Sequence, residues 1–170
     1  LRCLVGSEMC IRDRCWDCWD KVYALLKEKD MVDQTIFKFY LKDEEPMVWA
    51  KAHKDCIFIP MCGDPEMFPK LLELREHAGL PAVEILPHAE DEPIFSDETF
   101  RWLEEHHIKV WCNSLSLARR LVYGAGYDDL KSLRYGGDKG WGVLIDKGVQ
   151  ILQTDWPHEV ACYLKEKKMR

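Results

Sequence analysis

The chain has 170 residues, with 30 acidic and 24 basic side chains and a formal net charge of −6 at pH 7. This length allows one domain with a sizeable core. The acidic balance, with no basic stripe, argues against nucleic acid as a partner. No run approaches the roughly 18 consecutive apolar residues that a membrane-spanning helix requires, so we expect no transmembrane segment.

The first residues differ in kind from the rest. Leu4–Asp13 resembles the translation of a transposase-type sequencing adapter. We therefore expect residues 1–14 to be a non-native tail and residues 15–170 to be the folding part. The natural N-terminus, with any signal peptide, would then be missing, so the sequence leaves the compartment open.

The cysteines outside this tail are scattered rather than clustered, at Cys15, Cys18, Cys56, Cys62, Cys112 and Cys162. Such spacing suits reduced thiols and leans towards a reducing, cytoplasmic compartment. The pair Cys15 and Cys18 has the C-x-x-C spacing of redox and zinc sites. A zinc site would need a second such pair, which the sequence lacks, so we interpret the pair as a helix N-terminus.

Helical and strand-like patterns alternate along the chain. Apolar residues at three- and four-residue steps predict a first helix over residues 16–29. Asp64 is predicted to be the N-cap of a later helix, Ser96 to begin another helix, and Gly79 to be a left-handed C-cap. Residues 113–137 are predicted to be a long connection that is rich in Gly, Tyr and Asp. Continuous apolar runs predict five strands, at Thr35–Tyr40, Cys56–Met61, Ala82–Leu86, Ile108–Cys112 and Val149–Gln153.

This order predicts an α/β fold with a parallel sheet that is buried on both faces. An open doubly wound sheet and part of an eight-stranded (β/α) barrel both fit the pattern. No glycine-rich phosphate loop follows a strand, which weakens the dinucleotide-binding version of the open sheet.

The C-terminal motifs carry a family resemblance. The stretches Gly140–Gly148, GWGVLIDKG, and Gln150–Pro157, QILQTDWP, resemble the end of the glycerophosphodiester phosphodiesterase family. Val110–Asn113, VWCN, is similar to a V-W-x-N strand of that family, and Tyr127–Asp129 is similar to an acidic loop in some members.

The resemblance implies a partial (β/α)8 TIM barrel with about five C-terminal β/α units and its N-terminal strands missing. It also implies hydrolysis of glycerophosphodiesters to glycerol 3-phosphate and an alcohol, a reaction of lipid metabolism. The intact enzyme would hold a divalent metal, Mg²⁺ or Ca²⁺. The family's His-Arg-Gly and Glu-x-Asp motifs and its second catalytic histidine have no counterpart here, so we expect this chain to be inactive.

Four side chains at predicted strand ends are the candidate site residues, because barrel active sites lie at the carboxyl ends of strands. Lys38 would neutralise the phosphodiester oxygens as a catalytic cation. Glu84 would bind a substrate hydroxyl, a cation or the metal, since a buried carboxylate needs compensation. Trp111 would cover the substrate's carbon skeleton, and Asn113 would orient the following loop or donate to phosphate. Each also has an ordinary structural interpretation as an edge, ion-pair or core residue.

Three alternatives stay open at this point. The chain could be a non-catalytic (β/α) module that binds a phosphorylated ligand or a partner protein, another phospholipase C-like phosphodiesterase, or, least favoured, a small thiol oxidoreductase. The strands that begin at Thr35 and Val149 would be open edges of a truncated barrel, so we expect non-native dimerisation or aggregation.

Overall fold

The computed structural model describes residues 10–12, 18–116 and 122–168, and its fold is mixed α/β with parallel sheets. Within these residues the strands are β1 (Cys10–Arg12), β2 (Thr35–Phe37), β3 (Ile57–Phe58), β4 (Met61–Cys62), β5 (Ala82–Ile85), β6 (Lys109–Asn113) and β7 (Ile151–Gln153). The α-helices are α1 (Trp19–Glu28), α2 (Glu44–Ala52), α3 (Phe68–Arg75), α4 (Asp97–Glu105), α5 (Asp129–Tyr135), α6 (Trp141–Lys147) and α7 (Pro157–Glu166). The chain divides into two compact units, Leu1–Val83 and Glu84–Arg170.

The first unit contains a parallel sheet in the order β1-β2-β3. Thr35 of β2 pairs with Cys10, and Phe37 pairs with Arg12 on one side and Phe58 on the other. The expectation that the strand beginning at Thr35 would be an open edge is therefore wrong, because β1 covers it. The adapter origin of Leu4–Asp13 stays a prediction, although three of these residues pair as a strand.

The predicted strand Cys56–Met61 is in fact two strands, β3 and β4. Pro60 lies between them and has no backbone N–H to donate to a ladder, which explains the interruption. Hydrogen bonds continue on both sides of it, from Ile59 N to Phe37 O at 3.0 Å and from Met61 N to Phe39 O at 2.7 Å. These two hydrogen bonds keep the chain extended beyond the end of β2.

Glycine and cap positions were predicted with mixed success. Asp64 caps the next turn, because its carboxylate accepts from Glu66 N at 2.9 Å. Ser96 caps α4, accepting from Thr99 N at 3.2 Å. Gly79 was expected to adopt a left-handed conformation, and this prediction is wrong because its φ is not in the left-handed region. A Cβ at Gly79 would lie 3.4 Å from Cys56 O, which is an ordinary van der Waals contact, so neither the backbone conformation nor the space requires glycine there.

Aromatic side chains fill the core of the first unit. Trp19 of α1 is 2% exposed and meets Phe37 and Phe39 edge-on, with ring centroids at 5.4 and 5.7 Å. It also lies 4.8 Å from Trp49 of α2 and 6.1 Å from Phe58. The two helices are therefore packed against one face of the sheet by these rings.

The second unit pairs β6 with β7 in parallel, with Trp111 opposite Ile151 and Asn113 opposite Gln153. Trp141, Val160 and Tyr163 form a buried cluster between α6 and α7. The long connection predicted at residues 113–137 contains a helix, α5, that was not predicted. Asp128 caps α5 by accepting from Lys131 N at 2.7 Å.

The helices of the described residues are all too short or too polar to cross a membrane.

Candidate functional site

Lys38 directly follows β2 and is only 1% exposed. Its neighbours Phe37 and Phe39 both contact Trp19 on the helix-covered face of the sheet. Side chains alternate across an extended strand, so Lys38 lies on the opposite face. A buried ammonium group requires compensating acceptors or anions, which makes this position unsuitable for an ordinary surface lysine.

Glu84 is the third residue of β5 and is 2% exposed. Burial, and secondarily the negative charge of Glu84, raises the pKa of the Cys112 thiol to about 12. Glu84, the first residue of the second unit, therefore lies close enough to the Cys112 thiol of β6 to affect its ionisation. Cys112 stays protonated at neutral pH, so its thiol is a poor nucleophile.

Trp111 and Asn113 lie two residues apart on β6 and therefore share one face of the strand. They are 5% and 8% exposed. The side-chain oxygen of Asn113 accepts from Leu115 N at 2.8 Å. Of the two roles predicted for Asn113, this contact favours orientation of the loop that leaves β6.

Asp129 is the centre of a buried polar network that the sequence analysis did not single out. It is 0% exposed, at the first position of α5. Its Oδ1 accepts from Ser114 Oγ at 2.7 Å, Trp141 Nε1 at 2.8 Å and Thr154 Oγ1 at 2.8 Å. Its Oδ2 accepts from Asp155 N at 3.0 Å. These contacts join the carboxyl ends of β6 and β7 to α5 and α6.

Thr154 and Asp155 directly follow β7. Within the second unit they bind Asp129, and Thr154 Oγ1 also accepts from Trp156 N at 2.9 Å. Because donors occupy both oxygens of Asp129 and water cannot reach it, this carboxylate suits a structural role rather than proton transfer. The acidic pair Asp128–Asp129 was the only sequence signal for it.

His106 and His107 are adjacent in the sequence, and the other histidines are spread along the chain. His88, in the loop that follows β5, is exposed, and its Nδ1 lies 2.6 Å from Val122 O. That carbonyl orients the ring and favours the tautomer with the proton on Nδ1. His106 follows the end of α4 and stacks on Trp102 with ring centroids at 3.8 Å.

The C-x-x-C pair can be followed only in part, since Cys15 lies outside the described residues. Cys18 is an exposed cysteine that directly precedes α1, in agreement with the predicted helix N-terminus. Over residues 10–12, 18–116 and 122–168, no group of three or more His, Cys, Asp or Glu side chains is arranged to hold a metal ion.

A comparison with protein families gives a match over much of the chain. The model of a family described as a domain of unknown function, DUF4996, matches residues 59–164. No curated protein matches the chain.

Proposed function

This chain belongs to the DUF4996 family, and on that premise we propose that it is part of a glycerophosphodiester phosphodiesterase. In this proposal its β/α units are about five C-terminal units of an eight-stranded (β/α) barrel. The intact enzyme hydrolyses a glycerophosphodiester to glycerol 3-phosphate and an alcohol. This chain contributes phosphodiester contacts and is itself inactive.

The observation that supports the proposal most is the position of Lys38. In a (β/α) barrel, the strand face opposite the helices is the barrel interior, and chemistry occurs at the carboxyl ends of the strands. Lys38 follows the last residue of β2, on the face opposite Trp19, and is 1% exposed. A cation held there, away from bulk water, attracts a phosphodiester anion more strongly than a surface lysine does.

The other candidate residues take roles that suit their surroundings. Glu84, a buried carboxylate, accepts hydrogen bonds from a glycerol hydroxyl. Trp111 offers an apolar ring against the carbon skeleton and limits the access of water. Asn113 holds the first turn of the loop after β6 through Leu115 N.

A divalent metal is implied for the intact family enzyme, but the described residues do not fit one. Mg²⁺ and Ca²⁺ prefer several oxygen ligands, and among the residues described Glu84 belongs to no group of three or more His, Cys, Asp or Glu side chains that could hold a metal ion. No step of the proposal for this chain therefore passes through a metal.

Binding of glycerol 3-phosphate, measured by isothermal titration calorimetry, tests the proposal. We expect Lys38→Met to weaken binding about tenfold or more, as the loss of a charged hydrogen-bond donor does. Lys54→Met, at an exposed lysine, is the matched control and should bind like the unmodified chain. Thermal unfolding of both variants separates lost binding from lost structure.

Three outcomes would contradict the proposal in different ways. Equal binding by the unmodified chain and Lys38→Met would remove Lys38 from the site. Metal-dependent hydrolysis of glycerophosphocholine by this chain would overturn the expected inactivity while leaving the substrate class intact. Binding of inorganic phosphate as tight as that of glycerol 3-phosphate would favour a non-catalytic phosphate-binding module.

A further inference from the structure

Helix α5 of the second unit buries polar side chains and exposes apolar ones. Its buried residues are polar, Asp129 at 0% and Ser132 at 2% exposed. Its exposed residues include three large apolar ones, Leu130 at 58%, Leu133 at 40% and Tyr135 at 65%. A helix on a protein surface ordinarily shows the opposite arrangement, with its apolar stripe towards the core.

The inversion is held in place by hydrogen bonds rather than by packing. Asp129 accepts from the ends of β6 and β7 through its two oxygens. Ser132 Oγ donates to Asp128 O at 3.0 Å and accepts from Trp141 N at 2.9 Å. The helix cannot rotate to bury its leucines without breaking these bonds, so the exposed apolar face is a fixed property of the fold.

The charges on this helix differ from those of the chain as a whole. Leu130 and Leu133 are three residues apart and therefore adjacent on the surface, and Arg134 lies one turn from Leu130. Lys131 also lies on this helix, with its Nζ 4.1 Å from the centroid of the Tyr127 ring. The single acid within α5 is the buried Asp129, so its solvent-facing side is cationic although the chain carries −6.

An exposed tryptophan lies close to the start of the helix. Trp156 is 42% exposed, and its backbone N–H donates to Thr154 Oγ1, which in turn donates to Asp129. Tryptophan and tyrosine are favoured where an apolar layer meets water, because each ring has an apolar body and a polar edge.

We propose that the outer face of α5, together with Trp156, is a docking surface for an anionic phospholipid bilayer. Leucines that enter the headgroup boundary, beside basic residues that meet its negative charge, are the pattern of interfacial helices. The face lies at the carboxyl ends of β6 and β7, the end of the strands where Trp111 and Asn113 are found. The inference does not depend on the proposed phosphodiesterase activity.

Co-sedimentation of the full chain with vesicles tests this surface. Vesicles of phosphatidylglycerol and phosphatidylcholine at equal amounts should bind the chain about thirtyfold better than pure phosphatidylcholine, as two cations near an anionic surface predict. Leu130→Ser/Leu133→Ser should lower the partition coefficient about tenfold. Leu25→Ser/Val48→Ser, at two exposed apolar residues of the first unit, is the matched control and should bind like the unmodified chain.

Three results would overturn the proposal. The first is equal binding by the leucine variant and the control. The second is self-association of the unmodified chain, without vesicle binding, that the leucine variant abolishes, because this would assign the face to a second copy. The third is a lowered thermal stability of the leucine variant well beyond that of the control, since exposed substitutions are nearly neutral and such a loss would mean that the chain itself covers the leucines.

Discussion

The first unit fixes the end of its strand with aromatic rings, whereas the second unit uses a buried carboxylate. Trp19 packs edge-on against Phe37 and Phe39 beside the end of β2. Asp129 accepts from Ser114, Thr154 and other donors where β6 and β7 end. Apolar packing tolerates gradual changes in shape, but a polar network requires every donor to keep its acceptor. The two units should therefore respond differently to substitution and to pH.

The largest expected effect is in the aromatic core. Trp19→Ala should lower the free energy of unfolding by about 4 kcal/mol, because it leaves a large cavity among four rings. Urea unfolding followed by circular dichroism measures this. Leu25→Ala on the same helix, at a residue 47% exposed, should change stability by under about 0.5 kcal/mol. A loss no larger than that of the control would mean that the rings do not hold the first unit.

A smaller loss of stability is expected in the second unit. Its size should depend on whether the substituted side chain can still accept hydrogen bonds. Asp129→Ala should cost about 3 kcal/mol because it leaves several buried donors without an acceptor. Asp129→Asn should cost less, since its carbonyl oxygen still accepts. The exposed Asp146 provides the control, Asp146→Ala. If Asp129→Asn were as harmful as Asp129→Ala, shape rather than hydrogen bonding would dominate.

The smallest effect is a pH dependence of stability that arises at Tyr163 in the second unit. Burial, and then the hydrogen bond that Tyr163 donates to Asp138 at 2.8 Å, raises the pKa of Tyr163 to about 12. The folded state keeps this proton at a pH where the unfolded state loses it, so the stability that Tyr163 contributes is complete below pH ~10 and is lost as pH rises to about 12.

Unfolding midpoints between pH 9 and 12 should therefore fall more steeply for the unmodified chain than for Tyr163→Phe. Tyr135→Phe, at a residue 65% exposed, should keep the steep profile. Parallel profiles for the unmodified chain and Tyr163→Phe would show that the phenol does not titrate differently in the two states.

Local patterns predicted much of the secondary structure. The cap at Asp64 and the helix start at Ser96 were confirmed because a short side-chain acceptor before a helical run needs only neighbouring N–H groups. Helix α5 was missed because its apolar residues face solvent, so its periodicity does not indicate a core-facing stripe. Cys56–Met61 is divided into two strands because Pro60 has no backbone N–H. The sequence shows the proline, but it does not show which neighbouring strand would accept a hydrogen bond at that position.

The candidate site was predictable only in its residue types. The glutamate inside AVEIL was expected to be buried because apolar neighbours surround it in sequence, and Glu84 is buried. Lys38 was predicted near a strand end, with an edge lysine as its structural alternative, and it is buried too. The loop-orienting contact of Asn113 was one of two predicted roles. The metal, the substrate and the adapter origin of Leu4–Asp13 stay predictions.

By itself, the sequence determined the alternation of strands and helices, because apolar periodicity and caps act over a few residues. The tertiary structure decided which face of the sheet holds Lys38, since that depends on the helices whose rings meet Phe37 and Phe39. It also decided the role of Asp129. The four donors of Asp129 come from positions 12 to 26 residues away along the chain, beyond the reach of any local pattern.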